Sequence, residues 1–225
     1  MKNSNNTTIA YNPLSLPIYV MAKPVGPDCN LDCAYCYYLD KEKLYSERQQ
    51  HLMSDELLEK YTQEYINSQP TPDVLFTWHG GEPLLRDISF YQKAIAYQQR
   101  YGRGRNIVNT LQTNGTLLND EWCRFFKDNH FLIGISIDGP EHCHDIYRKN
   151  KGGLGTFAQV MKGINLLKKH GVDFNTMSVI HNYNAEYPLE VYHFLKDIGS
   201  GYMQFSPIVE RQGKRQDGLT LLSPN

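Results

Sequence analysis

The chain has no run approaching the roughly 18 consecutive apolar residues of a membrane-spanning helix. Its polar start, Met1-Lys-Asn-Ser-Asn-Asn-Thr-Thr8, also lacks the apolar core of a secretory signal. These two absences predict a cytoplasmic protein that does not enter a membrane. Charge of one sign is lacking as well: 23 Lys and Arg stand against 24 Asp and Glu, so no global basic field points to nucleic acid. Cysteine is scarce and odd in number, five in all, which argues for a reducing compartment and against a disulfide framework. There is no internal repeat and no low-complexity tract. With 225 residues the chain can form one barrel-sized domain or two small ones.

What is present is concentrated. Three of the five cysteines fall in Cys29-Asn-Leu-Asp-Cys33-Ala-Tyr-Cys36, a C-x3-C-x2-C triplet directly behind the apolar run from Pro17 to Pro24. Three thiolates this close can ligate three corners of a cubane iron–sulfur cluster and leave the fourth iron without a protein ligand. A structural zinc site is the alternative, but it needs four ligands and usually two paired knuckles, and no second C-x2-C exists here.

Around the triplet, strand and helix patterns alternate. Strands are expected over residues 18–23, 74–78, 105–112, 131–137, 172–180 and 201–206. Helices are expected over 54–66 with Ser54 as cap, over 88–101, from a cap at Asp120 to Lys127, over 156–170 with a Gly171 stop, and over 187–198. The segment 131–137 is nearly all apolar and so reads as buried on both faces. Residues 138–155 read as mixed, with His142-Cys143-His144 as a solvated loop carrying one packed cysteine. Tyr91, Tyr97 and Tyr101 stand at helical spacing and read as core.

Six β-then-α units predict an α/β protein with a parallel sheet, barrel-like or doubly wound. In either form the loops at the strand C-termini carry the site. Those loops are the cysteine triplet, His79-Gly80-Gly81-Glu82-Pro83, Thr113-Asn114-Gly115 and Asp138-Gly139-Pro140. His79 reads equally as a site residue and as a satisfied loop histidine.

The order of these pieces resembles the radical S-adenosylmethionine superfamily, and in particular the anaerobic sulfatase-maturating enzymes. The resemblance runs from about residue 17 to 210. It rests on Met21-Ala-Lys-Pro-Val-Gly26, the triplet, Phe76-Thr-Trp-His-Gly-Gly-Glu-Pro83, Leu111-Gln-Thr-Asn-Gly-Thr-Leu-Leu118, Ser136-Ile-Asp-Gly-Pro140 and Gln204-Phe-Ser-Pro-Ile-Val-Glu210.

The resemblance implies a partial, TIM-like (β/α)6 barrel, with a polar arm over 1–16, a core domain over 17–210 and a linker over 211–225. It implies that Cys29, Cys33 and Cys36 hold a [4Fe-4S] cluster whose open iron is chelated by S-adenosyl-L-methionine. Tyr35 then matches a cofactor contact, and Gly80 and Gly81 let the methionyl amino group approach the backbone. Ser136 and Arg148 match positions that hold the methionyl end and ribose, and Val209 matches the position whose backbone meets adenine. One electron from a low-potential donor would cleave the cofactor to methionine and a 5′-deoxyadenosyl radical, which oxidises a Cys or Ser of a sulfatase polypeptide to formylglycine. The family's further domain, with two more clusters and the general base, would lie past residue 225, so no catalytic base is expected within this chain. His79 departs from the glutamine of many relatives. Two other readings remain: another radical peptide maturase, and an inactive chain that binds S-adenosylmethionine or a sulfatase without turnover.

Overall fold

The computed structural model describes residues 16–38, 51–199 and 201–208. Most of the expected N-terminal arm and all of the expected linker lie outside the described residues. Six strands form one sheet: β1 (Met21–Ala22), β2 (Asp73–Trp78), β3 (Asn106–Thr113), β4 (Leu132–Ser136), β5 (Phe174–Ile180) and β6 (Met203–Pro207). Every neighbouring pair is parallel, and the order across the sheet is the order along the chain. A doubly wound sheet reverses its order at a switch point, whereas this one advances in one direction, as the strands of a barrel do. Among the described residues β1 and β6 do not pair, so the sheet is an open, partial (β/α)6 barrel.

The connections are helical: α1 (Asp55–Ser68), α2 (Ile88–Tyr101), α3 (Asp120–Asp128), α4 (Glu141–Tyr147), α5 (Phe157–His170), α6 (Asn182–Ala185) and α7 (Pro188–Asp197). Ser54 caps α1 as expected, its Oγ accepting the Leu57 N–H at 3.2 Å. The cap of α3 is Asn119 rather than Asp120: the Asn119 amide oxygen accepts the Trp122 N–H at 2.9 Å, and Asp120 becomes the first helical residue. There its charge favours the positive end of the helix dipole and pairs with Lys169 and His170.

Two further expectations need correction. The first strand is shorter than the run 18–23, because Gln69 replaces a strand neighbour at Ile18. The Gln69 side-chain amide accepts from the Ile18 N–H at 3.1 Å and donates to its carbonyl at 3.0 Å. The segment read as a solvated loop at His142-Cys143-His144 is α4, and Cys143 and His144 are both fully buried there.

The core packs the helices against the outer face of the sheet. Phe76 and Trp78 of β2 stack at 6.0 Å, and Tyr65 of α1 meets Phe76 edge-on at 5.1 Å. Trp78 meets Tyr91 of α2 at 5.6 Å, and Tyr91 in turn meets Trp122 of α3 at 5.6 Å. Burying each such ring contributes about 2–3 kcal/mol. The Trp78 indole is satisfied internally, its Nε1–H donating to Asn109 Oδ1 at 2.8 Å, with Asn109 exchanging hydrogen bonds with Gln98. Tyr97 and Tyr101 pack on the rim of the same core. In β4 the inner residues Ile133, Gly134 and Ile135 are buried, as the apolar run predicts. Helices outside and strands inside leave the C-terminal strand ends open, and the loops there face one another.

Candidate functional site

Three neighbouring loops hold the cysteine loop in place. From the β2 exit, Gly81 N–H donates to the Gly26 carbonyl and Glu82 N–H to the Asp28 carbonyl, both at 2.8 Å. From the β3 exit, Asn114 Nδ2 donates to Asn30 Oδ1 at 2.8 Å and lies 3.8 Å from Cys29 Sγ. From the end of α4, the carbonyls of Tyr147 and Lys149 accept the N–H groups of Ala34 at 2.9 Å and Asp32 at 2.8 Å. The loop therefore docks backbone to backbone. Leu31 pairs with Asn150 in an antiparallel bridge that places Arg148 beside the triplet.

The need for glycine at Gly81 is set by this docking. A Cβ there would fall 1.9 Å from the Asp28 carbonyl oxygen, a distance no side chain tolerates. Gly80 has φ +121°, a conformation L residues rarely adopt. The close approach that the two glycines permit is thus first an approach of the cysteine loop.

These loops enclose a cavity of about 410 Å³, within the range of small-molecule sites. Cys29, Cys33 and Cys36 line it together with Tyr35, Gly80, Gly81, Ser136 and Arg148. All but one of the site residues expected from the sequence are therefore brought to one cavity. The exception, Val209, lies outside the described residues, although its neighbour Ile208 lines the wall. His79 also lines the cavity, with its Nδ1 accepting the Gly80 N–H at 2.7 Å and burial lowering its pKa.

Asn114, from a loop expected to carry the site, lines it as well, and Gln112 and Met177 join the lining without having been singled out in the sequence. Gln112 Nε2 donates to Ser136 Oγ at 3.0 Å and needs Gly134 beside it, where a Cβ would lie 2.0 Å from Gln112 Oε1. A glycine inside an otherwise apolar strand was the available signal for that close approach.

The electrostatics of the wall come from burial and one ion pair. Burial pushes the Cys29 thiol up to about 12 and the Cys33 thiol up to about 11, so thiolates here call for a cation or cluster to hold them. Glu82 is fully buried and burial raises it to about 7, against three hydrogen bonds that favour its charge. Arg148 grips Asp138 through Nε–Oδ2 at 2.8 Å and Nη2–Oδ1 at 3.1 Å. Burial raises the Asp138 carboxyl, but the guanidinium more than offsets it and holds the group below the usual carboxylate range. A guanidinium expected to help hold the methionyl end and ribose of a ligand thus uses two of its nitrogens on a protein carboxylate. Asp138, which resembles a plain turn residue in the sequence, lies fully buried behind the wall and is bonded to Tyr35 and Arg148, which line it.

Three thiols from one loop, set in a cavity with two backbone-bearing glycines and a charged, buried wall, define an α/β barrel site suited to a polynuclear metal cluster with a small polar ligand beside it. Among the described residues no three His, Cys, Asp or Glu side chains converge on a single-ion position. The family model of the radical SAM superfamily matches residues 24–195, and the chain belongs to that superfamily.

Relatives narrow the comparison. A serine-type anaerobic sulfatase-maturating enzyme of Bacteroides thetaiotaomicron is 61% identical over 213 residues, covering 95% of this chain and 51% of the relative. A cysteine-type counterpart from Clostridium perfringens is 34% identical, covering 88% of this chain and 55% of its own length. The solved structure of native anSMEcpe with bound AdoMet and Kp18Cys peptide superposes with a TM-score of 0.79 at 34% identity, covering 88% of this chain and 54% of that one. The chain spans about half the length of the curated relatives it matches.

Proposed function

We propose that this chain is the radical-generating part of an anaerobic sulfatase-maturating enzyme, an oxidoreductase that converts a Ser or Cys of a sulfatase polypeptide to formylglycine. The observation that carries the reading is the convergence of the triplet, Tyr35, the Gly80-Gly81 backbone, Ser136 and Arg148 on one cavity. Cys29, Cys33 and Cys36 would hold the [4Fe-4S] cluster, and the remaining residues would hold S-adenosyl-L-methionine. Their chemistry fits: the thiols need metal to ionise at neutral pH, and the cavity has the volume of a small-molecule site. When bound, the two cofactors supply one-electron cleavage to a 5′-deoxyadenosyl radical.

The protein's own part is to orient and to exclude water. Tyr38 is buried and Tyr37 exposed, both line the cavity, and their hydroxyls lie 3.0 Å apart. At the substrate, loss of one Cβ hydrogen atom followed by loss of an electron and the heteroatom proton converts the side chain towards the aldehyde. The base and the electron acceptor for those last losses are expected in the part of the relatives that follows residue 225. On this reading residues 17–210 are the core domain, 211–225 lead to the next one, and the partners are a sulfatase polypeptide and a low-potential electron donor, in the cytoplasm. Among the described residues no helix is long and apolar enough to cross a membrane. Higher identity to a serine-type than to a cysteine-type relative favours serine as the preferred target.

The test is anaerobic reconstitution with iron and sulfide, followed by dithionite and S-adenosylmethionine. Formation of 5′-deoxyadenosine is expected; uptake of tetrahedral zinc with no cleavage would overturn the reading. Adding the C-terminal half of a sulfatase-maturating relative and a Ser-x-Pro-x-Arg peptide then tests formylglycine formation.

A further inference from the structure

Asp138 does not line the cavity but lies directly behind its wall, bonded to three residues that do line it. It is fully buried, and both oxygens are saturated. Oδ2 accepts the Tyr35 hydroxyl at 2.5 Å and Arg148 Nε–H at 2.8 Å; Oδ1 accepts Arg148 Nη2–H at 3.1 Å and the Val179 N–H at 2.9 Å. Tyr35, Arg148 and Val179 all line the cavity. One carboxylate thus ties the cysteine loop, the segment after α4 and β5 to a common point behind the wall.

A second set of bonds holds the same pair from the far side. The Asp138 N–H faces His144 Nδ1 at 3.4 Å, His144 Nε2 lies 3.1 Å from Thr156 Oγ1, and the Thr156 hydroxyl donates to the Arg148 carbonyl at 3.0 Å. Thr156 has one proton, and it goes to Arg148. His144 therefore carries its proton on Nε2 and accepts on Nδ1, a single neutral tautomer. The relay begins on the backbone of Asp138 and ends on the backbone of Arg148, so both ends of the ion pair are fixed by one chain of bonds.

We propose that Asp138 is the positioning residue of the S-adenosylmethionine cavity, fixing the Tyr35 ring and the Arg148 guanidinium before the ligand enters, with His144 and Thr156 as its support. The inference rests on the reading of this cavity given above. Its physical basis is preorganisation: an arginine already held by two nitrogens loses little freedom when a ligand arrives. The pairing also offsets the charge of Arg148, so what it offers a ligand is its remaining N–H groups rather than a free positive charge.

The test uses the reconstituted 225-residue chain and S-adenosylmethionine itself, with Kd from equilibrium dialysis, iron per chain and thermal melting measured in parallel. Asp138→Asn places an amide N–H2 where four donors converge; it should raise Kd about tenfold or more, the scale seen when a supporting partner is lost at metal sites, with iron content unchanged. Thr156→Val is milder and cuts only the relay. It should raise Kd several-fold, and Thr156→Ser should restore the wild-type value. If Asp138→Asn does not fold, the Thr156 pair decides. Unchanged affinity in the folded variants, even with lower melting temperatures, would assign the network to stability alone and overturn the proposal. A wild-type chain that binds no S-adenosylmethionine would overturn the cavity reading and the inference with it.

Discussion

Glu82, at the exit of β2, accepts the backbone N–H of Asn114, at the exit of β3, at 2.8 Å. Its other oxygen accepts the Thr113 hydroxyl at 2.7 Å and the Leu84 N–H at 3.0 Å. Two of the loops that hold the cysteine triplet are thus joined through one fully buried carboxyl, which burial raises to about 7. Between its unfolded value of 4.5 and about 7, the folded protein holds this proton more tightly than the unfolded chain. The group's contribution to stability is therefore complete below 4.5 and is lost as pH rises through about 7.

For Glu82→Gln, the amide brings two N–H hydrogens where the protonated carboxyl brings one O–H, at a point where three donors already converge, and the variant should be less stable at pH 5 by about 1–3 kcal/mol. Because glutamine does not titrate, the gap to wild type should narrow towards pH 8, at up to about 1.4 kcal/mol per unit. Urea unfolding of the metal-free chain across that range checks it. A gap that widens with pH would be contrary to the geometry.

Gly81→Ala should destabilise the chain by about 1–3 kcal/mol, the range for overpacking a site that cannot yield. The clashing partner is the backbone oxygen of Asp28, so the strain should pass to the cysteine loop. Iron retention after gel filtration should fall along with the melting temperature. Normal retention in the variant would mean that the loop can dock elsewhere.

Cys33→Ala should abolish cluster assembly, taking iron from about four per chain to less than one. Cys123→Ala and Cys143→Ala should leave iron content unchanged. Both residues are buried in helices, and neither lines the cavity. Retention of a full cluster without Cys33, or its loss without Cys123, would move the site.

The exits of β2, β3 and β4 were legible because those runs break at glycine, asparagine or aspartate, and in a parallel sheet those breaks share one edge. Strand order within the sheet was not legible, since the same β-then-α alternation serves both windings, and only the in-order pairing distinguishes them. Helix α4 was missed because its histidines read as polar, whereas His144 is buried with both ring nitrogens paired. Asp138 was missed for a related reason. Asp-Gly-Pro is good turn chemistry in its own right, and nothing local reveals an arginine ten residues on that returns to grip it. Adjacent Asn119 and Asp120 can both cap, and sequence alone could not choose between them.

The central claim is that one cavity holds a cluster bearing an open iron and the cofactor that fills it. Electron paramagnetic resonance of the dithionite-reduced chain, recorded with and without S-adenosylmethionine, tests it most directly. The account predicts a reduced cubane signal whose g-values shift when S-adenosylmethionine is added. A reconstituted chain with no such signal, or with a signal indifferent to S-adenosylmethionine, would contradict it.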